Sequence, residues 1–417
     1  MKSINIKQRK GLCLLFVLVL AFLVSGMATA ENGASEEQGQ FHRFWPDNLY
    51  AVEFVDDKVG FVAGYSGSLF RTEDGGESWG AVYLGVNELI RHVSFVDANN
   101  GWAVGHRGSI LHTADGGVTW EVQMQDAGVY LRDIAFADTN NGWVVGHDST
   151  IWHTADGGKN WQKQSLTGFE GRDLPRLHGV VAKDAKTAIL VGEFGMIAHT
   201  ENGGELWMVT YNRSGATLLS IATHGEGAVA VGLDGGIFAL TLATEAQRAS
   251  VKAIKEAKLA KKEAKARKKA KRRGKEYVAK EVVVLPETDI DYFVNVVDSG
   301  VSNHFYDVAS AGAEGVLVTG ASIVLKVSMT EAVVTAEAVE EVLEPTFTVT
   351  SLMPQEGFPL PFVWMGGIAV TPSGDFWAAG LRGMIVKGNL NDMSFGQKLN
   401  IAGSEAVKLI SSRWGEK

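Results

Sequence analysis

The sequence predicts an all-β chain folded as a seven-bladed β-propeller with an inserted basic helix, and three observations predict it. A motif Thr-x-Asp/Asn-Gly-Gly-x-x-Trp recurs at residues 72–79, 113–120, 154–161 and 200–207. Its tryptophans, Trp79, Trp120, Trp161 and Trp207, are spaced by 41, 41 and 46 residues, a period that matches the roughly 40 to 45 residues of one four-stranded blade. A second landmark, an apolar stretch closed by glycine, falls at Gly64, Gly105, Gly146, Gly192, Gly232, Gly320 and Gly380 and so counts seven repeats. Blades that share one ring form one domain, so a chain of 417 residues need not divide into two or three.

In chain order, Lys2, Lys7, Arg9 and Lys10 precede an uncharged apolar run over residues 12–24, and Ala28, Thr29 and Ala30 follow it. That is the layout of a secretory signal peptide over residues 1–30, cleaved after Ala30. The run is too short for the roughly 20 residues that span a bilayer. The chain is therefore expected outside the cytoplasm, in a periplasm or a thylakoid-lumen-like compartment. Its one cysteine, Cys13, lies inside that run, so the mature protein is expected to hold no disulfide and no thiolate ligand. A polar spacer over residues 31–40 leads to the propeller, expected over residues 41–417.

Repeat two displays every part of a blade: a strand around Ile90, Val93 and Phe95, a turn at Asn99, Asn100 and Gly101, and a strand ending at Gly105. A loop at His106, Arg107 and Gly108 then leads to a third strand ending at Thr113 and the Asp-Gly-Gly hairpin into the fourth. Asp or Asn before two glycines supplies the side-chain hydrogen bonds and the positive-φ positions of a tight hairpin. Asp74, Asp115, Asp156 and Asn202 therefore read as structural. A residue repeated blade after blade cannot converge on one reaction centre, and Asn keeps the turn chemistry without the charge. The four motif tryptophans read as packing residues.

The last three repeats lack the motif. In blade five a segment over residues 244–281 takes its place. Residues 245–281 carry eleven Lys and four Arg against five Glu. The whole chain has a formal charge of −9, so the propeller is strongly acidic and the insertion strongly basic. No Gly or Pro interrupts residues 245–273, and no apolar stripe runs along them, which predicts a solvated single helix ending at Gly274. Its cations, bounded by Lys252 and Arg273, suit a contact with anionic lipid headgroups or an acidic partner, or a charged spacer that docks on the acidic propeller of its own molecule. Export argues against nucleic acid as a partner. A second insertion, over residues 328–344, carries no chemical signal.

In an up-and-down blade, the loops after the landmark glycines and the starts of the innermost strands share one face of the ring. The strand-start column reads Tyr50, Arg91, Arg132, His178, Leu219, Tyr306 and Gly366, with His92, Asp133 and Asp307 one place later. The loop column holds Tyr65, His106, Arg107, His147, Asp148, Glu193, Phe194, Asp234 and Arg382. This is the polar, cation-bearing rim of a propeller binding face. His106 and His147 occupy the same column of neighbouring repeats, so repetition explains them better than a metal does. No metal, cofactor or catalytic constellation is expected.

The motif resembles the Asp-box, or BNR, repeat. Sialidases carry it, but residues 41–46, Phe-His-Arg-Phe-Trp-Pro, depart from their Arg-Ile-Pro motif, and no Tyr-Glu nucleophile pair can be placed. The combined pattern of repeats two and three is more similar to the photosystem II stability and assembly factor family, over residues 49–236 and more faintly over 305–387. That resemblance implies a non-enzymatic, exported propeller that binds membrane-protein subunits during assembly through an arginine-rich face; a monomer is expected. Arg91, Arg132, Arg107 and Arg382 would form the patch, with His106, His147 and His178 beside them. The alternatives are a sialidase-type exo-glycosidase and a carbohydrate-binding propeller.

Overall fold

Seven sheets follow one another along the chain, each built on four antiparallel strands laid down in sequence order. The innermost strands are Leu49–Phe54, Ile90–Phe95, Leu131–Phe136, Leu177–Ala182, Leu218–His224, Phe305–Ser310 and Met365–Val370. Each contacts the next, and the last contacts the first, so the ring is closed. The computed structural model describes residues 48–166, 169, 173–212, 214–243, 245–272, 292–330, 345–356 and 363–400. The signal peptide, the spacer, the approach to blade one and the helix stop at Gly274 fall outside those residues. Among them, no helix is long and apolar enough to cross a membrane.

The second strands, among them Gly60–Gly64, Gly101–Gly105 and Gly142–Gly146, are buried along their whole length in the first six blades. Both of their faces pack against neighbouring blades, which is why they read as unbroken apolar runs rather than alternating ones. The glycine that closes each has a steric cause. At Gly64, Gly105, Gly146, Gly192, Gly232, Gly320 and Gly380, a Cβ would stand 1.9 to 2.4 Å from the carbonyl oxygen of the residue just before the innermost strand. The same carbonyl accepts the N–H of the residue after the glycine, as Leu89 does from His106 at 3.0 Å and Tyr130 from His147 at 2.9 Å. A side chain there would push the two strands apart and break that bond.

On the opposite face the hairpin motif forms one repeated network. In blade two, Asp115 Oδ1 accepts from Thr113 Oγ1 at 2.8 Å and from the Thr119 N–H at 2.9 Å, and the Gly117 N–H reaches Thr113 Oγ1 at 2.9 Å. Asp74 and Asp156 repeat it, and Asn202 accepts the equivalent pair from Thr200 and Leu206 at 3.0 Å each. The first glycine of each hairpin donates to the carbonyl of the first turn of its own blade, Gly116 to Asn99 and Gly157 to Asn140 at 2.9 Å. Its carbonyl accepts from the preceding blade: Gly116 from Arg71, Gly157 from Gln123, Gly203 from Gln164. The second glycine combines a φ of 78 to 86° with close packing, since a Cβ on Gly117 would lie 2.4 Å from Phe61. Each motif is thus a joint between blades, and Trp79, Trp120 and Trp207 are buried in those seams while Trp161 is half-buried.

The ring closes between blades seven and one by packing. Phe54 stacks on Trp377 with ring centroids 5.5 Å apart, the Ser373 N–H donates to Asp57, and the Arg382 N–H donates to Asn48. Blade seven gains a fifth strand, Met353–Pro354, lying parallel to its outer strand Ser394–Asn400. That short segment covers an edge that would otherwise be open.

Helix α1, Glu245–Arg272, joins the third and fourth strands of blade five and so leaves from the hairpin face. Its 28 residues extend about 42 Å at 1.5 Å per residue. In blade six, the strand Val324–Thr330 runs three residues into the segment that the sequence assigns to the second insertion, pairing Ser328 with Thr348 and Thr330 with Thr346. The alternation Leu325-x-Val327-x-Met329 carries the inward face that far, with Leu325 and Val327 buried and Met329 half-buried; the remainder of that insertion lies outside the described residues.

Candidate binding site at the channel mouth

Every innermost strand breaks its ladder at its second residue. The skipped positions are Tyr50, Arg91, Arg132, His178, Leu219, Tyr306 and Gly366. A bulge leaves its residue unpaired and re-aims the side chain, so seven bulges deliver these side chains to one end of the ring. The loop after each second strand meets them there. Its central residue is held in the left-handed region in every blade, at Ser66, Arg107, Asp148, Phe194, Asp234, Ser322 and Arg382, with φ of 52 to 62°. Such a conformation costs of order 1 kcal/mol or more outside glycine, yet no blade places glycine there.

The mouth has two halves. On blades two to four it is basic. Arg132 donates from Nε to Nε2 of His147 at 3.0 Å. Burial, then the charges of Arg91 and Arg176, lower Arg132 to about 10, and burial lowers Arg91 as well. The histidines are held neutral: His178 falls to about 3 and His147 to about 4, by burial first and Arg132 next. His106 is lowered by the same two causes. Of the residues expected from sequence, Arg91, Arg132, His106, His147 and His178 therefore gather here. Arg176, on the residue before the innermost strand of blade four, joins them and pairs with Glu193 at 3.6 Å. Arg107 turns instead to Glu88 at 3.2 Å with its side chain 61% exposed, and Arg382 stands on blade seven, away from this group. The expected four-arginine patch is thus divided.

On blades six, seven and one the mouth is aromatic. Tyr306, Trp364, Tyr50 and Tyr65 form an edge-to-face chain with successive centroid distances of 5.7, 4.8 and 5.4 Å. Burial, then the hydrogen bond with Tyr65, raises the Tyr50 phenol to about 12. Arg91 stacks on Tyr50 at 4.7 Å and joins the halves.

Below the mouth, carboxylates satisfy the exposed edges of the innermost strands across blade junctions. Asp133 accepts the N–H of Val180 at 2.7 Å, and Asp307 accepts that of Ile368 at 2.9 Å. His92 pairs with Asp133 at 2.7 Å, and Ser220 donates to Asp307 at 2.6 Å. Burial alone would lower His92, but Asp133 outweighs it and the pKa rises to about 9. Burial raises Glu53, in blade one, to about 7 against the charge of His92. Among the described residues, no group of three His, Cys, Asp or Glu could hold a metal ion.

What the mouth offers chemically is a desolvated positive cluster beside a half-open aromatic surface. Residues 73–328 match the family model described as photosynthesis system II assembly factor YCF48. No curated protein sequence matches the chain. Among solved structures, "YCF48 bound to D1 peptide" is similar at 16% identity with a TM-score of 0.52, covering 82% of this chain and 92% of that one. YCF48 from Cyanidioschyzon merolae gives 16% and 0.52 with 83% and 97% coverage, and an ancestral GH74 enzyme gives 12% and 0.54 with 85% and 46%. At such identities the likeness is one of fold. The family match spans more than half the sequence, and the chain belongs to the YCF48 family of photosystem II assembly factors.

Proposed function

We propose that the protein is an exported, non-enzymatic binding factor that helps an inner-membrane protein complex assemble or persist, engaging a client segment at the channel mouth. The observation that carries this reading is the cluster of Arg91, Arg132 and Arg176. Folding brings three cations together, two of them with charged forms disfavoured by burial, and surrounds them with imidazoles that stay neutral. A bound carboxylate would relieve that repulsion, and its attraction is strengthened where water is displaced. The solved YCF48 with a D1 peptide supports a peptide as the kind of partner. Cleavage after Ala30 and a periplasmic or lumen-like location complete the reading, with helix α1 meeting anionic lipid on the opposite face.

The test is capture from detergent-solubilised membranes. The parent protein is expected to retain a membrane-protein client that the Arg91→Ala, Arg132→Ala double variant loses. Equal capture by both would remove the mouth as the binding site. Turnover of a fluorogenic sialoside, abolished by the same pair of changes, would replace the binding reading with the glycosidase one.

A further inference from the structure

The aromatic half of the mouth is not a by-product of packing. Blade seven is the one blade whose bulge position is glycine, and a Cβ on Gly366 would stand 2.5 Å from the Trp364 indole. Gly366 therefore clears the place where the other six blades put a side chain, and the indole lies across it. Tyr306 and Tyr50, the bulge residues of the flanking blades six and one, close on that indole from both sides. Tyr65 extends the arc into the loop and is 41% exposed, while the other three are half-buried. Four aromatic rings left partly open to solvent at a channel mouth are an unused apolar surface. It is continuous with the charge cluster through Arg91.

We propose that this arc is a second subsite, which receives a large apolar or aromatic side chain of the same peptide segment whose carboxylate meets Arg132 and Arg176. The proposal rests on the client-binding reading and narrows it: the mouth selects an acidic segment with an aromatic residue beside its carboxylate. Edge-to-face packing favours a side chain over a sugar, because successive rings are turned 62 to 75° across one another and do not form the flat platform a sugar ring stacks on. The charges fix the segment's register, and the arc adds discrimination that two arginines alone cannot provide.

Fluorescence anisotropy with the purified protein and two dye-labelled octapeptides tests it. One is Gly-Ser-Gly-Ser-Phe-Gly-Asp-Glu with a free C-terminus; the other has Ala for Phe. The Phe peptide is expected to bind the parent about tenfold more tightly, the order of one well-packed aromatic contact. That advantage should fall below about twofold in Tyr65→Ser and in Trp364→Ala. Tyr65 is exposed enough for its variant to fold if Trp364→Ala does not. Arg132→Ala should weaken both peptides equally. If the two peptides bind the parent alike and both depend on Arg132, the aromatic subsite is wrong and the client reading stands. If the Phe advantage persists without any dependence on Arg132, the client reading fails and the subsite stands. Absence of binding by either peptide at millimolar concentration overturns both.

Discussion

Arg132 and His147, bulge residue and loop residue of one blade, are joined by a 3.0 Å hydrogen bond in which the guanidinium is the donor and the imidazole the acceptor. The bond requires a neutral imidazole, and it places a cation where burial and two further arginines oppose one. Such an arrangement sacrifices stability at a site, which is how binding surfaces often differ from the rest of a fold.

It follows that Arg132→Gln should leave the melting temperature unchanged or raise it, while peptide affinity falls about tenfold or more, the range for losing a charge-assisted contact. The imidazole of His147, still buried but freed from the adjacent charge, should titrate above its value of about 4 in the parent, which proton NMR would follow. A lower melting temperature together with unchanged affinity would mean that Arg132 is a structural residue.

The pH dependence of stability should have two limbs with different owners. His92, at about 9 in the folded state, contributes stability that is complete below its ordinary pKa near 6.5 and is lost as pH rises toward 9. Glu53, raised to about 7, destabilises its charged form, so stability also declines as pH climbs from about 4.5 to 7. His147 and His178, lowered to about 4 and about 3, act in the other direction: folding opposes their protonation, and stability falls as pH drops below about 6.5. A maximum near pH 6 is expected in thermal melts. His92→Gln should flatten the alkaline limb and His178→Gln the acid one; limbs that survive those changes would assign the titrations elsewhere.

The hairpin joints give a sharp contrast between side chains that touch. Asp115→Asn should fold close to the parent, because Asn202 already makes the same two bonds in blade four. Trp120→Ala should cost about 3 to 5 kcal/mol, as for other buried tryptophan truncations. Gly117→Ala should be damaging too, since it meets both a φ of 78° and the Phe61 ring. Denaturant melts of the three variants check the ranking.

Helix α1 should be separable from the ring. Replacing residues 245–281 by a short Asp-Gly-Gly hairpin is expected to leave the melting temperature intact and to lower co-sedimentation with anionic vesicles in low salt. Screening by about 0.5 M salt should abolish the parent's own binding. Retention of vesicle binding after the deletion would assign that binding to the acidic propeller or to nothing electrostatic.

Much of this was legible in the chain. The seven landmark glycines counted the blades because a carbonyl needs the room at each one, a constraint strong enough to survive where the hairpin motif was lost. The strand-start column coincided with the seven bulges for the same reason: the register of one landmark fixes the other. Arg176 and Trp364 were missed. Both stand one residue before an innermost strand, in a column that also holds Asn48, Leu89, Tyr130, Thr217 and His304, and whose repeated element is a backbone carbonyl rather than a side chain. With no residue type in common, that column left no pattern to read. The division of the mouth was equally hidden, since adjacency around a ring joins blade seven to blade one, positions far apart in sequence. Arg382 was grouped with the other arginines by column, though its blade places it on the aromatic side.

The seam at Phe54 and Trp377 differs in kind from the other six. Each of those is crossed by covalent chain as one blade leads into the next, whereas the first and last blades hold each other through stacked rings and a few hydrogen bonds. Under tension applied to its two ends, the molecule would part at that junction first and uncoil blade by blade from there, like a bracelet opening at its clasp.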